Sequence, residues 1–398
     1  MSQGLISRSE DLERLQVEGY AIEICNGFLL IHDVPYVNER KEVARGTLFC
    51  ALKLANDKTT KPDDHTVRWT GDVPYDSNGR AMDLVNSNAN EKPREGVLAR
   101  YSFSRKQRAE GYNDYYEKMT TYVAILENPA QALDPKVTAK THRLILLAPE
   151  DSVFRYLDNA SARAGTTALN NKLKDDKIAI VGLGGTGAYV LDLVAKTSVK
   201  EIHLFDGDTF YQHNAFRSPG AASPTDLEKQ LPKVEYYKQE YSNMHYNIIA
   251  HVAFVEESNL GELQDMSFVF LCIEGQAKRA IVNYLVERNI SFIDAGMNLI
   301  MGENETLVGQ LRVTAVTPTY HDHIQRIPFS VGEDDEYAKN IQIAEMNALN
   351  AALAVIKWKK IRGYYHDFLE EHNSLYGIST NALCNDETPN VESENGQT

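Results

Sequence analysis

Eleven residues near the middle of the chain, Lys177-Ile-Ala-Ile-Val-Gly-Leu-Gly-Gly-Thr-Gly187, restrict the possible folds more than any other stretch. Four unbroken apolar residues, Ile178 to Val181, suit a central parallel strand covered on both faces. Gly182 permits a tight turn, Gly184 lets main chain approach a phosphate, and Gly187 lets the next helix pack close to the strand. That helix presents N–H groups and the positive end of its dipole to an anion. A second strand, Ile202-His-Leu-Phe, ends in Asp206, 24 residues after Gly182, where an acid commonly hydrogen-bonds ribose hydroxyls. The expectation is a nucleotide-binding strand–helix–strand unit, with a purely structural glycine turn as the alternative.

The 398 residues are enough for two or three domains. A net charge of −15, with no basic stripe to offset it, argues against a nucleic-acid partner. ATP needs only a few local cations. The cysteines, Cys25, Cys50, Cys272 and Cys384, are scattered singly without a Cys-x-x-Cys pair, so a structural zinc site is not expected. No window approaches 18 apolar residues, and Met1 to Glu18 lacks an apolar signal core. A cytoplasmic protein without a membrane span is expected.

Before the glycine turn, residues 1–145 read as a small α+β module. Leu12 to Val17 suits a short helix. Asn26-Gly27 lies between Tyr20–Cys25 and Phe28–His32, a strong hairpin signal. Val43 to Leu54 fits a strand or a buried helix, and His65 to Trp69 a strand. Val85 to Gly96 reads as a loop. Tyr112 to Leu126 is helical by its apolar face, with Pro129 as punctuation. Beyond the turn, strands at Ile248–Val255, Phe268–Ile273, Phe292–Gly296 and Leu307–Val316 alternate with a helix at Ala277–Arg288. Such alternation means a doubly wound, mostly parallel α/β sheet, with ligands outside the strands' carboxyl ends. Glu336 to Lys359 is the longest helix signal, apolar on more than one face, as for a helix packed between the sheet and a further surface such as a second subunit. Residues 366–398 read as a largely polar, partly disordered tail.

The region 146–365 resembles the ThiF/MoeB family, the adenylating module shared with ubiquitin-activating enzymes. The likeness rests on spaced residues: the doubled Gly184-Gly185, the acid-x-acid pair Asp206 and Asp208, Asn214 and Arg217 three apart, Pro232-Lys233-Val234, and Gly309-Gln310. Residues 1–145 resemble domains of unassigned role fused to bacterial ThiF-like modules. The resemblance implies that a carboxylate attacks the α-phosphate of ATP and pyrophosphate leaves, so charge must be neutralised while groups are held in line. It implies that Gly182, Gly184, Gly185 and Gly187 cover phosphates and that Asp206, with Asp208, holds the ribose. Arg217 and Lys233 would offset phosphate charge, Asn214 would orient an oxygen, and Glu274 would hold Mg²⁺. Relatives work as dimers and some borrow an arginine across the interface; Arg155 or Arg163 fits that role. The implied substrate is the C-terminal carboxylate of a ubiquitin-like protein, handed on in a bacterial conjugation pathway to a conjugating-enzyme homologue.

Two departures keep other readings open. The family usually has Asp where Glu274 stands, and the segment Thr317–His323 lacks the cysteine that takes the acyl group in some relatives. Cys384, a hydroxyl such as Thr319, or direct transfer to a partner protein are the acceptors to weigh. His321 and His323 are candidates for proton transfer or ordinary surface residues. The alternatives are sulfur-carrier activation, a catalytically weak scaffold on the same fold, and an NAD-dependent dehydrogenase, which leaves Asn214, Arg217 and Lys233 without a role.

Overall fold

The computed structural model describes residues 5–388, except 7, 56–57, 106–110, 147–148, 150–151, 157, 159, 162–163, 165 and 330–340. The chain forms two compact units, Met1–Ala168 and Leu169–Thr398. The first therefore extends beyond residue 145, the end of the small module read from the sequence.

In the first unit, helix α1 (Glu10–Val17) precedes an antiparallel sheet of β1 (Ile22–Cys25), β2 (Phe28–Val37), β3 (Val43–Ala51), β4 (Thr66–Trp69), β5 (Val85–Asn88) and β6 (Tyr101–Ser104), in the order β1-β2-β3-β4-β6-β5. The first hairpin turns on Asn26 (φ 46°) and Gly27 (φ 78°), the left-handed pair that the twist of a two-residue hairpin demands. The segment Val43–Ala51, ambiguous by period, is a strand because it pairs with both β2 and β4. Val85–Asn88, read as a loop, is an edge strand held by main-chain pairing with β6; its polar side chains carry no alternation to reveal it.

Helix α2 (Tyr115–Leu133) begins at Asp114, whose carboxylate accepts the Glu117 N–H at 2.7 Å. It buries Tyr115, Met119, Tyr122, Val123 and Leu126 in the core of this unit. Pro129 lies inside the helix rather than ending it. Its missing N–H and ring clash cost about 3 kcal/mol. Burying Leu126 and Tyr122 returns about 1.5–3 kcal/mol per large side chain, so the helix carries on to Leu133.

The second unit is built on eight strands: β7 (Lys177–Val181), β8 (Glu201–Phe205), β9 (Ile248–His251), β10 (Phe268–Leu271), β11 (Ser291–Met301), β12 (Leu307–Val316), β13 (Asn373–Gly377) and β14 (Ala382–Asp386). Their order is β9-β8-β7-β10-β11-β12-β13-β14. The first five are parallel; the last three add antiparallel. From β7 the chain winds outward to β8 and β9, then returns to β10 on the other side. The strand order thus reverses beside β7, the position at which open α/β sheets bind ligands outside the carboxyl ends of their strands. Every residue of β10 is buried, and Ile178–Val181 of β7 likewise, as expected of strands covered on both faces.

Helices α3 (Gly185–Val194), α4 (Lys233–Tyr241), α5 (Ala277–Glu287) and α6 (Ala344–Ile361) flank the sheet. Helix α6 packs on α3 and on strands β11 and β12, burying Ala351, Ala354, Val355 and Trp358. The beginning of the helix expected from Glu336 falls partly outside the described residues. The polar stretch expected as a tail instead supplies β13 and β14. Thr314 donates its hydroxyl to Asn373 Oδ1 at 2.8 Å, and Asn373 Nδ2 donates to Asp386 Oδ1 at 2.7 Å. Main-chain pairing and this side-chain chain hold strands that have little apolar surface of their own.

Candidate nucleotide site at the crevice

The glycine turn closes β7 onto α3. Gly182 has φ 89°, and a Cβ there would lie 2.6 Å from the Cys272 carbonyl oxygen beyond β10. A Cβ on Gly187 would overlap the Gly182 carbonyl, so both positions need the smallest residue. Around Gly184, by contrast, nothing lies within 4 Å of where a Cβ would stand. Gly184 is the N-cap of α3 and supplies no side-chain cap, so the helix's first N–H groups are left to a ligand or water.

Asp206 braces this turn. One oxygen, Oδ2, accepts the Leu183 N–H at 2.7 Å; the other, Oδ1, accepts the Asp208 N–H at 2.8 Å. The residue is only 5% exposed. The Asp208 side chain is 57% exposed and meets Lys233 Nζ at 2.6 Å. Lys233, the first residue of α4, is buried, and its ammonium also lies 3.5 Å from Asp206. One cation is thus held against two acids at the edge of the turn.

Asn214 sits in the short helical turn Gln212–Ala215. Its Oδ1 accepts the Tyr211 N–H at 2.9 Å, while its buried Nδ2 has no partner. The Arg217 N–H donates to the Asn214 carbonyl at 3.1 Å, and the Arg217 Nε is likewise buried without a partner. Burial first, then the positive charges of Arg217 and Lys233, hold the imidazole of His213 below its ordinary range. The neighbourhood therefore disfavours a further cation. Unmet buried donors are destabilising by about 1–3 kcal/mol each, which an oxygen-rich anion would relieve.

Glu274 is exposed and lies two residues beyond Cys272, whose carbonyl faces Gly182. Among the described residues no group of three or more His, Cys, Asp or Glu is placed to hold a metal. A single carboxylate suits Mg²⁺, which keeps waters and takes phosphate oxygens for its remaining positions. The Cys272 thiol is pushed up to about 12, burial being the main cause, and is inert as a nucleophile. Cys384 is exposed on β14. His323 is fully buried, its Nε2 donating to the Ala315 carbonyl at 2.8 Å, and so is a core residue rather than a loop base. Arg163 lies outside the described residues.

Asn347 and Asn350 escape a reading of motifs, and Asp294 shows in the sequence only as an acid near the carboxyl end of a strand. Asn347 and Asn350, one turn apart on α6, are both fully buried. Two amides inside an apolar helix are the only sequence sign of them. Asp294, also fully buried, takes Lys278 at 2.8 Å and Arg312 at 2.6 Å. Lys278 belongs to the first turn of α5, directly after the Glu274 segment.

Sheet order and glycine turn define a Rossmann-like α/β module. Residues 156–382, more than half of the chain, match the ThiF family, and the chain belongs to it. Residues 10–159 match a domain of unknown function, DUF6791. The molybdopterin-synthase adenylyltransferase of Haemophilus influenzae is 32% identical over 157 residues, 38% of this chain and 61% of that protein. Ubiquitin-like modifier-activating enzyme 5 of Drosophila mojavensis is 24% identical over 139 residues, 32% of this chain and 35% of that protein. The chain thus spans about a third to three-fifths of the length of these curated relatives. Among solved structures, Escherichia coli MccB with ATP aligns over 55% of this chain and 66% of its own, at 19% identity and TM-score 0.42. PaaA aligns over the same shares at 18% identity and TM-score 0.44. Among the described residues no helix is long and apolar enough to cross a membrane.

Proposed function

We propose that this chain uses ATP to adenylate a carboxylate, and that the carboxylate is the C-terminus of a ubiquitin-like protein. The observation that carries the reading is the pair of unmet buried donors, Asn214 Nδ2 and Arg217 Nε, in the loop between β8 and α4. A triphosphate supplies the acceptors they lack.

In the reaction the substrate carboxylate attacks the α-phosphorus, the bond to the bridging oxygen breaks, and pyrophosphate leaves. Main-chain N–H groups at the start of α3 face the phosphates, and Gly184 leaves room for their approach. Arg217 and Lys233 offset the charge gathering on the phosphoryl oxygens, and Asn214 Nδ2 donates to one of them. Asp206 keeps the turn in shape through its two main-chain bonds and, with the exposed Asp208, holds the ribose hydroxyls. Glu274 would hold Mg²⁺, which supplies further neutralisation of phosphate charge when bound.

The ubiquitin-like substrate is supported by family membership and by the activity for which ubiquitin-like modifier-activating enzyme 5 is named; a homodimeric assembly and hand-over to a conjugating-enzyme homologue belong to the same proposal. Exchange of radiolabelled pyrophosphate into ATP, dependent on a ubiquitin-like protein with an intact C-terminus, tests the reading. Exchange that persists after removal of the partner's last two residues, or none with any such partner, rejects the substrate. Failure to bind ATP at millimolar concentration rejects adenylation altogether.

A further inference from the structure

Helix α6 brings Asn347, fully buried, into the second unit within its first turn. The carboxamide reaches two pieces of chain that lie on either side of β8 in sequence. Its Oδ1 accepts the Thr186 hydroxyl at 2.9 Å, and its Nδ2 donates to the Arg217 main-chain carbonyl at 3.2 Å. One end thus grips the first turn of α3, and the other grips the loop that carries Asn214 and Arg217. A Cβ on Gly185 would overlap this carboxamide. The second glycine of the doubled pair is therefore required by Asn347, not only by a phosphate.

Packing does not explain an asparagine here. Ala351, Ala354 and Val355 fill the buried face of the same helix, and an apolar side chain would avoid the penalty of burying an amide. Asparagine is also a poorer helix former than leucine or alanine. What only an amide supplies is an acceptor turned to a hydroxyl and a donor turned to a carbonyl on one short side chain.

We propose that Asn347 is a positioning residue for the nucleotide: it fixes Arg217 relative to the glycine turn. The inference rests on the adenylation reading. With its carbonyl tied down, the Arg217 main chain cannot pivot, and the guanidinium starts from a set distance to phosphates lying on the turn. Placement of this kind acts on the reacting geometry more than on folding.

The test uses the full chain, with Asn347→Leu, Thr186→Val, Thr186→Ser, Arg217→Ala and the double variant Asn347→Leu/Arg217→Ala. ATP affinity is read by calorimetry, kcat/KM by pyrophosphate exchange, and folding by thermal melting. Asn347→Leu is expected to lower kcat/KM for ATP about 30-fold while melting within a few degrees of the parent. Thr186→Val is expected to lose about fivefold, and Thr186→Ser, which keeps the hydroxyl, to recover the parent value. Once Arg217→Ala is present, Asn347→Leu should cost less than about threefold more, because the group it positions is gone. Full additivity in the double variant overturns the proposal, as do unchanged kinetics in Thr186→Val with unchanged melting. If the parent protein binds no ATP, the adenylation reading fails and takes this inference with it. Parent binding with undiminished Asn347→Leu binding and exchange rejects this inference alone.

Discussion

Asp206 and Asp208 stand two residues apart in opposite surroundings. The first is buried and bonded through both oxygens to main-chain N–H groups; the second is exposed and bonded to Lys233. Their substitution should separate stability from binding. Asp206→Ala removes two charge-assisted bonds and strands the Leu183 N–H in the core, so a loss of about 2–5 kcal/mol in urea unfolding is expected. Asp208→Asn should leave the unfolding midpoint nearly unchanged and raise the KM for ATP several-fold. Equal unfolding midpoints for both variants would reject the brace assigned to Asp206. At this scale much of the candidate site was legible in the sequence, because the nucleotide-binding turn expected there needs glycines, acids and cations at restricted spacings. The division of labour between the two acids was not, since spacing does not reveal which carboxylate meets main chain. Asn347 was hidden for a different reason: its partners Thr186 and Arg217 are remote in sequence, and their convergence is a property of the folded sheet.

Among the elements, β11, β12 and α5 meet at a buried ionic cluster, Lys278–Asp294–Arg312, with Arg312 also donating to Thr314 at 2.6 Å. Two cations share one fully buried carboxylate beside the end of β10. Removing that carboxylate leaves both uncompensated, so Asp294→Ala should cost about 3–5 kcal/mol by urea titration. Replacing all three with Met, Leu and Leu at 278, 294 and 312 should restore stability to near the parent value, because desolvation and attraction are removed together. A triple variant less stable than Asp294→Ala would refute this account. The strands β7 and β10 were readable as continuous apolar runs, and the Asn26-Gly27 hairpin from its turn residues. Strands β5, β13 and β14 were not, because polar strands at or next to a sheet edge depend on a neighbour's unpaired main chain rather than on a pattern of their own. Pro129 misled for a related reason: a local breaker yields when tertiary burial on the same helix outweighs it.

At the scale of the molecule, each unit has its own apolar core, one around Trp69 and the other around Trp358. The second unit also carries several histidines kept neutral by burial. His245 is fully buried, donates from Nε2 to the Val199 carbonyl and accepts the Asn247 N–H at Nδ1, each at 3.1 Å. Burial lowers its pKa to about 4, and burial lowers those of His323 and His372 as well. In the unfolded chain these rings titrate at about 6.5. Between those values the unfolded state binds more protons, so stability falls as pH drops through 6.5, and the His245 share of that fall ends near pH 4. That share is about 3 kcal/mol over the window. Trp69→Phe leaves Trp358 as the chain's only tryptophan, a fluorescence reporter inside the second core. Urea titrations of this variant should show a midpoint that declines steadily from pH 7 to pH 4. Adding His245→Gln should lower stability at pH 7 and flatten the decline. An equally steep decline in the His245→Gln background would rule out His245 as a principal source of the acid sensitivity.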